Sequence, residues 1–326
     1  MYVAWRDLRF ARGRFALIGA VVALITLLVG FLSGLTDGLA AQNVSGVLAL
    51  PGDRLVLHPV DGASATFADS TIEADTVAAW RAAPGVDTVT PVGITQTRAE
   101  GPGASTAVAL FGLDAGTAFA APRRDDEVDL SAGAAKALGA AVGDDVSIAG
   151  SSYRVAAIGG DEWYSHTPVV ALSTAAWTTL AQRLGGTGQP TVLAVTGSPA
   201  WDSVAADTGT TASTPLASLT ALSTFRSEIG SLALMIAMLF GVSALVVGAF
   251  FTVWTMQRSA DIAVLKALGA STPALVRDAL GQASVVLILG VGVGIGLTAL
   301  LGAVAGGTLP FVLSPLTTLA PAAVMI

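Results

Sequence analysis

Glu228 is the last acid before a long apolar run, and it lies on a stripe. Phe225, Glu228, Leu232, Met235 and Leu239 follow 3-4-3-4 spacing, which puts them on one face of a helix. An ionisable group where such a helix meets the outer membrane border is costly to keep and is a functional candidate by default. The hydrated end of a helix, with Met235 as packing, gives the same pattern. A second set of capable side chains is Asp161–His166 (DEWYSH), where Tyr164 and His166 carry ligating atoms and Trp163 offers a stacking surface. Aromatic loop residues also serve as a small core or an interfacial anchor. Arg123–Glu127 (RRDDE) reads as a solvated turn, because a calcium loop needs more oxygen ligands and a glycine at its sharp bend.

The common catalytic patterns are missing. No G-x-x-x-x-G-K-[ST] run occurs, and the two lysines, Lys136 and Lys266, stand outside any phosphate-binding loop. Neither H-E-x-x-H nor G-x-S-x-G is present, and the two histidines, His58 and His166, are far apart in sequence. With no cysteine there is neither a disulfide framework nor a thiolate metal site. The chain reads as a non-enzyme with no intrinsic cofactor or metal, and any ATP-driven cycle needs a separate nucleotide-binding subunit.

The elements that position these residues belong to a membrane protein. Hydrophobic residues make up 53% of the 326 and charged ones 12%, with mean hydropathy +0.72. A bilayer core of about 30 Å takes about 20 apolar residues of helix. Residues 15–36 form an uncharged first span, too long for a signal-peptide core of about 7–15 residues. Its outer end carries Gly30, Gly34 and Gly38, a small-residue spacing that admits a close helix neighbour, in the same chain or another. Residues 1–14 mix aromatics with arginines and read as an interfacial helix on membrane lipid. Residues 227–256 and 279–303 are the second and third spans, with Gly292 and Gly296 marking the third for close packing. Residues 309–326 begin a fourth span whose cytoplasmic end is expected beyond Ile326.

Between the first two spans, residues 37–226 read as an α+β domain. Strands are expected at 53–60, 107–111, 169–172 and 191–195, and a helix at 72–83 stopped by Pro84-Gly85. Val128–Gly160 reads as an Ala-rich helix capped by Ser131, followed by a hairpin of 145–149 and 153–158. Residues 206–215, rich in Thr, Ser, Ala and Gly, are expected to be the least ordered. Met1–Arg14 together with 257–278 carry seven Lys/Arg against three acids, whereas Asp37–Glu228 carries nine against twenty. The positive-inside rule then puts the N-terminus and the 257–278 loop in the cytoplasm and the large domain outside. No basic footprint for nucleic acid is present.

The 257–278 loop contains Asp261–Ser271, DIAVLKALGAS. Asp261, Ile262, Val264, Leu265, Lys266 and Leu268, closed by Gly269, make a short amphipathic helix suited to a groove on a soluble partner. This run resembles the cytoplasmic contact of FtsX/MacB-type ABC transporter permeases, with Asp261 where Glu is commoner. Val128–Gly160 is similar to the outer domain of that family, and the order of one span, a large domain and three spans agrees with it. The opening AWRDLRFARGRFALIGAVVALITLL, then GLTDGLA, is similar to haem-exporting permeases of the HrtB kind.

The resemblance implies a four-helix membrane protein with an inserted extracytoplasmic α+β domain, working as a homodimer on ABC ATPase subunits that bind ATP and Mg. It implies haem as the substrate, with Glu228 as a candidate iron ligand, Met235 as a second ligand or packing, and Arg226 as a propionate partner. Phe225, Tyr164 and His166 are the remaining candidates near it. Other relatives serve lipoprotein traffic, drug extrusion or control of cell-wall enzymes, so those roles stand as alternatives.

Overall fold

A computed structural model describes residues 12–60, 63–114, 122–257, 259–269, 271–305 and 310–312. The chain divides into two compact units, Met1–Leu39 with Gly230–Ile326, and Ala40–Ile229. The expected interfacial helix at 1–14 and fourth span at 309–326 fall almost wholly outside the described residues.

In the membrane unit lie the first part of α1 (Arg12–Leu48), most of α7 (Ser223–Gln257), α8 (Ser259–Ala267) and α9 (Thr272–Ala305). Three described helices contain a stretch long and apolar enough to cross a membrane: Ala16–Leu48, Ser223–Val242 and Ser284–Ala305. Helix α9 starts at Thr272, earlier than the expected 279, because the charged residues of its first turns lie within a helix-forming sequence. Helices α1 and α9 meet through Ile18, Val22, Val286 and Val291. In lipid there is no hydrophobic drive between helices, so close approach and van der Waals fit must hold the pair.

Glycines permit that approach, though not the pair singled out by spacing. A Cβ on Gly290 would run into Val22, and one on Gly294 into Thr26 and the Ala23 carbonyl. Gly292 and Gly296 meet open space. The α1 glycines are used inside the chain: Gly30 lies against Thr298, Gly34 against the Phe311 ring and Gly38 against the Pro310 carbonyl. The Val312 N–H donates to the Gly34 carbonyl at 3.1 Å. Thr298 satisfies its hydroxyl on the Gly294 carbonyl at 2.9 Å, as a hydroxyl in an apolar helix must.

The described residues of the outer unit include ten strands. In chain order it runs β1 (Arg54–Leu57), α2 (Ala74–Ala82), β2 (Val86–Glu100), β3 (Ser105–Leu113), β4 (Glu127–Leu130), α3 (Ala132–Leu138), β5 (Asp145–Ile148) and β6 (Ser151–Ile158). Then follow β7 (Trp163–Tyr164), β8 (Thr167–Ser173), α4 (Thr174–Arg183), β9 (Val192–Gly197), α5 (Trp201–Asp207), β10 (Thr211–Ser213) and α6 (Pro215–Ser218). Strand β2 is long enough to serve two sheets. Its first half pairs with β9, continuing to β1 and β10; its second half pairs with β3. From β3 the sheet passes through β8, β4, β6 and β5, and β5 pairs back onto the end of β2. This closure leaves no open edge on that side.

Strand β3 explains why sequence alternation is weak here. Val108 and Leu110 enter one core with α3 and α4, while Ala109, Phe111 and Leu113 enter another with Val44 and Val47 of α1. A strand buried on both faces reads as one apolar run. Gly93 and Gly112 are register partners, and a Cβ on either would strike the Trp177 ring, so the pair forms a flat seat for that indole. Ser131 caps α3 on the Ala134 N–H, and Gly139 ends it with φ 63°. Residues 206–215 are more ordered than their composition suggests. They include the end of α5 and strand β10, which pairs with Leu55–Leu57, since threonines suit a short edge strand beside an exposed ladder.

Asp129 in β4 is 8% exposed, and its Oδ1 has no partner among the described residues. Burial pushes its carboxyl up to about 6 from an ordinary 3.8, against a backbone hydrogen bond at Ala157 that lowers it. With the folded value above the unfolded one, the native state holds more protons between the two, so stability falls as pH rises from about 4 to 6. Asp129→Asn should flatten that slope and raise stability at pH 7.5 by up to about 3 kcal/mol, seen in thermal melts across pH. In the membrane unit, Gly294→Leu should overpack the α1–α9 contact, at a cost of about 1–3 kcal/mol, and lower the melting temperature in detergent. Gly292→Leu should leave it unchanged.

Candidate functional site

The outer unit gathers a polar cluster around the β7–β8 hairpin. Tyr164 pairs with Thr167, leaving Ser165 and His166 as a two-residue turn, with φ of 46° and 63°. Such a turn wants positive φ at both centres and favours Asn-Gly; each non-glycine there costs about 1–3 kcal/mol unless surroundings hold it. Two backbone bonds to α1 do so: Ser165 N–H to the Asn43 carbonyl at 3.0 Å and His166 N–H to the Gln42 carbonyl at 2.9 Å. Trp163 N–H adds a bond to Ser45 Oγ at 2.9 Å.

The turn brings His166 against the start of α7. Its Nε2 lies 2.9 Å and 3.0 Å from the two carboxylate oxygens of Glu228. Asn43 donates from Nδ2 to Glu228 Oε2 at 3.2 Å, and its Oδ1 accepts from the Thr224 hydroxyl at 2.9 Å. Ser165 Oγ lies 3.2 Å from Thr224 Oγ1. The carboxylate is thus held by donors from α1 and the hairpin while it sits on α7. The His166 and Glu228 side chains are 32% and 38% exposed, so an incoming group can reach them. A pair this open contributes at most about 1 kcal/mol, less than the turn strain it accompanies. Stability alone does not account for it.

Sequence spacing put His166 and Glu228 in separate clusters, and the hairpin joins them. It also missed Asn43, which is 1% exposed within α1. A buried Asn inside a helix was the available signal, because such residues are poor helix formers and need a partner. Phe225 is half-buried and packs on the core that includes Leu219 and Leu222, while Arg226 is exposed. Tyr164 is placed differently from the ligand expected of it. It is 6% exposed, edge-on to Phe111 and Phe67 at 5.8 Å and 6.3 Å, and burial raises its hydroxyl pKa. Its ring is core. Met235 belongs to the membrane unit and is 48% exposed.

At the other charged stretch, helix α8 carries Asp261, Ile262, Val264, Leu265 and Lys266, and Gly269 follows with φ 92°. Val264 and Leu268 are exposed, and Ile262 is half-buried. Among the described residues, no group of three or more His, Cys, Asp or Glu is arranged to hold a metal ion.

Comparison with known proteins bears on both regions. Residues 17–211 match the MacB-like periplasmic core domain, and residues 233–326 match the FtsX-like permease C-terminal domain. A putative hemin transport system permease protein HrtB of Staphylococcus haemolyticus is 26% identical, covering 96% of this chain and 89% of its own. An uncharacterized ABC transporter permease of Mycobacterium tuberculosis is also 26% identical, covering 97% of this chain and 86% of its own. The crystal structure of the periplasmic region of MacB from Actinobacillus actinomycetemcomitans aligns with a TM-score of 0.38 at 13% identity, over 52% of this chain and 92% of that one. With one family match covering the first span and most of the outer unit, and the other covering the later helices and α8, the chain belongs to the FtsX/MacB-type family of ABC transporter permeases.

Proposed function

We propose that this permease exports haem from the membrane, driven by a separate ABC ATPase that binds ATP and Mg. The observation that carries the reading is the half-open carboxylate of Glu228, held beside His166. Support comes from relatives named as hemin transport permeases across nearly the whole chain. A haem site should be apolar with a few polar groups for iron and propionates. Glu228 offers an oxygen ligand, held in place by the His166 imidazole, Phe225 an aromatic surface, and exposed Arg226 a cation for a propionate.

The energy enters at α8 in this reading. Val264 within it and Leu268 just after it are exposed aliphatics that suit a cleft on a soluble subunit. Helix α7 carries Glu228 near its start and ends at Gln257, two residues before α8 begins, so a push on α8 acts on the helix that bears the ligand. ATPase subunits of such transporters work in pairs, and a homodimer of this chain supplies one α8 to each. The N-terminus and α8 are cytoplasmic and the outer unit extracytoplasmic, as the charge asymmetry favours.

Two outcomes check this. The purified chain in detergent should give a shifted Soret band on adding haem, and Glu228→Ala should weaken that binding at least tenfold; an unshifted band in the unaltered protein would overturn the haem reading. Leu268→Glu, at a site already exposed, should leave membrane insertion intact but abolish co-purification with the ATPase and haem-stimulated ATP hydrolysis. Retained association would remove α8 as the contact. Association without any haem response would favour the alternative of a non-transporting transmitter acting on a cell-wall enzyme.

A further inference from the structure

The β7–β8 turn holds a histidine where glycine is the favoured residue. A second two-residue hairpin of the outer unit, between β5 and β6, is made by Ala149 and Gly150, with glycine at the second position. In the β7–β8 turn His166 occupies that second position with φ 63°. The bonds that fasten the turn to α1 come from the backbone N–H groups of Ser165 and His166, and glycine would keep both. What glycine would lose is the imidazole on Glu228. The strain is therefore tied to that one side-chain contact, and backbone strain of this kind concentrates at working sites.

We infer that His166 is a positioning residue that holds the Glu228 carboxylate in the unloaded protein and yields it to the cationic centre of an incoming ligand. This rests on the haem reading above, with ferric haem as the ligand. The imidazole faces both carboxylate oxygens, at 2.9 Å and 3.0 Å, and so stands on the side from which one iron would engage the two together. Asn43 stays behind. Its Nδ2 holds Oε2 while Thr224 fixes its Oδ1, so the carboxylate keeps its place when His166 leaves. With Nε2 as the donor, the exchange breaks the N–H···O hydrogen bond to the carboxylate and forms one oxygen–iron bond in place of the iron's axial water, which leaves to solvent; the proton stays on Nε2 and no electron moves. The pair is exposed enough for the exchange to proceed without unpacking a core.

The test is His166→Gly in the full chain, with His166→Gln as the variant that restores a donor. Thermal stability in detergent and the rate of haem association, followed at the Soret band, are the two readings. The glycine variant should melt at or above the unaltered protein and take up haem at least fivefold faster, and the glutamine variant should return toward the original rate. A clear drop in melting temperature would make His166 a structural residue and overturn the inference. So would an unchanged or slower rate while Glu228→Ala still abolishes binding, and that result would leave the haem reading standing. No Soret shift in the unaltered protein would instead overturn the haem reading and the exchange together.

Discussion

A half-exposed carboxylate gains little stability from its partners, yet the donors around it fix where its oxygens point, because hydrogen bonds to a charged acceptor are short and directional. Glu228 is held by His166 and Asn43, and its position constrains much of the outer unit around it. Asn43 must be buried in α1 and its own oxygen satisfied by Thr224. The β7–β8 turn must accept positive φ at two residues with side chains, which requires the α1 carbonyls as acceptors. Strand β8 in turn pairs with β3 and β4, so the turn is anchored to the middle of the closed sheet. Each of these requirements follows from placing one acid near the start of α7.

The membrane unit meets a different constraint with different residues. Its backbone bonds are internal to the helices, as lipid demands, and association depends on surfaces that fit. Gly290 and Gly294 let α9 lie against Val22 and Thr26, and Gly30, Gly34 and Gly38 do the same for Thr298 and the 310–311 segment. Close approach replaces the apolar burial that holds the outer unit together. In the outer unit glycine is used for shape as well, most plainly where Gly93 and Gly112 make room for Trp177.

Long-range order was the least legible part of the sequence. The three long apolar helices, the capped helix after Ser131, the β5–β6 hairpin and the short helix α8 are local, with signals in runs, caps and turn residues, and they could be read directly. Strand β2 could not, because one strand shared by two sheets has no single alternation to show. Glycine spacing in α9 named Gly292 and Gly296, while the face that packs carries Gly290 and Gly294. Spacing of four fits both pairs, and only the partner decides between them. Glu228 and His166 were each visible as chemically capable, yet their meeting depends on a hairpin reaching α7 across 62 residues of sequence. Tyr164 looked like a ligand because sequence cannot tell which residue of a tight hairpin faces the core; the pleat sends it inward.

The kind of contact at Glu228 suits the exchange proposed for it. A packed apolar seam resists opening with about 1.5–3 kcal/mol for each large side chain exposed. A half-exposed ion pair or charged hydrogen bond contributes about 0–1 kcal/mol, and its separated groups can turn to water. His166 and Glu228 therefore define a geometry without locking it, while the neighbouring core of Phe111, Tyr164 and Val47 stays closed. The same division appears on α7 as a whole. Its first turns are fixed by hydrogen bonds and by Phe225 on the outer unit's core, whereas Leu234, Met235, Met238 and Val242 further along are exposed. Weak, directional bonds at the start of a helix set where its side chains point at little cost to moving them, which is the division of labour that the proposed exchange at Glu228 needs.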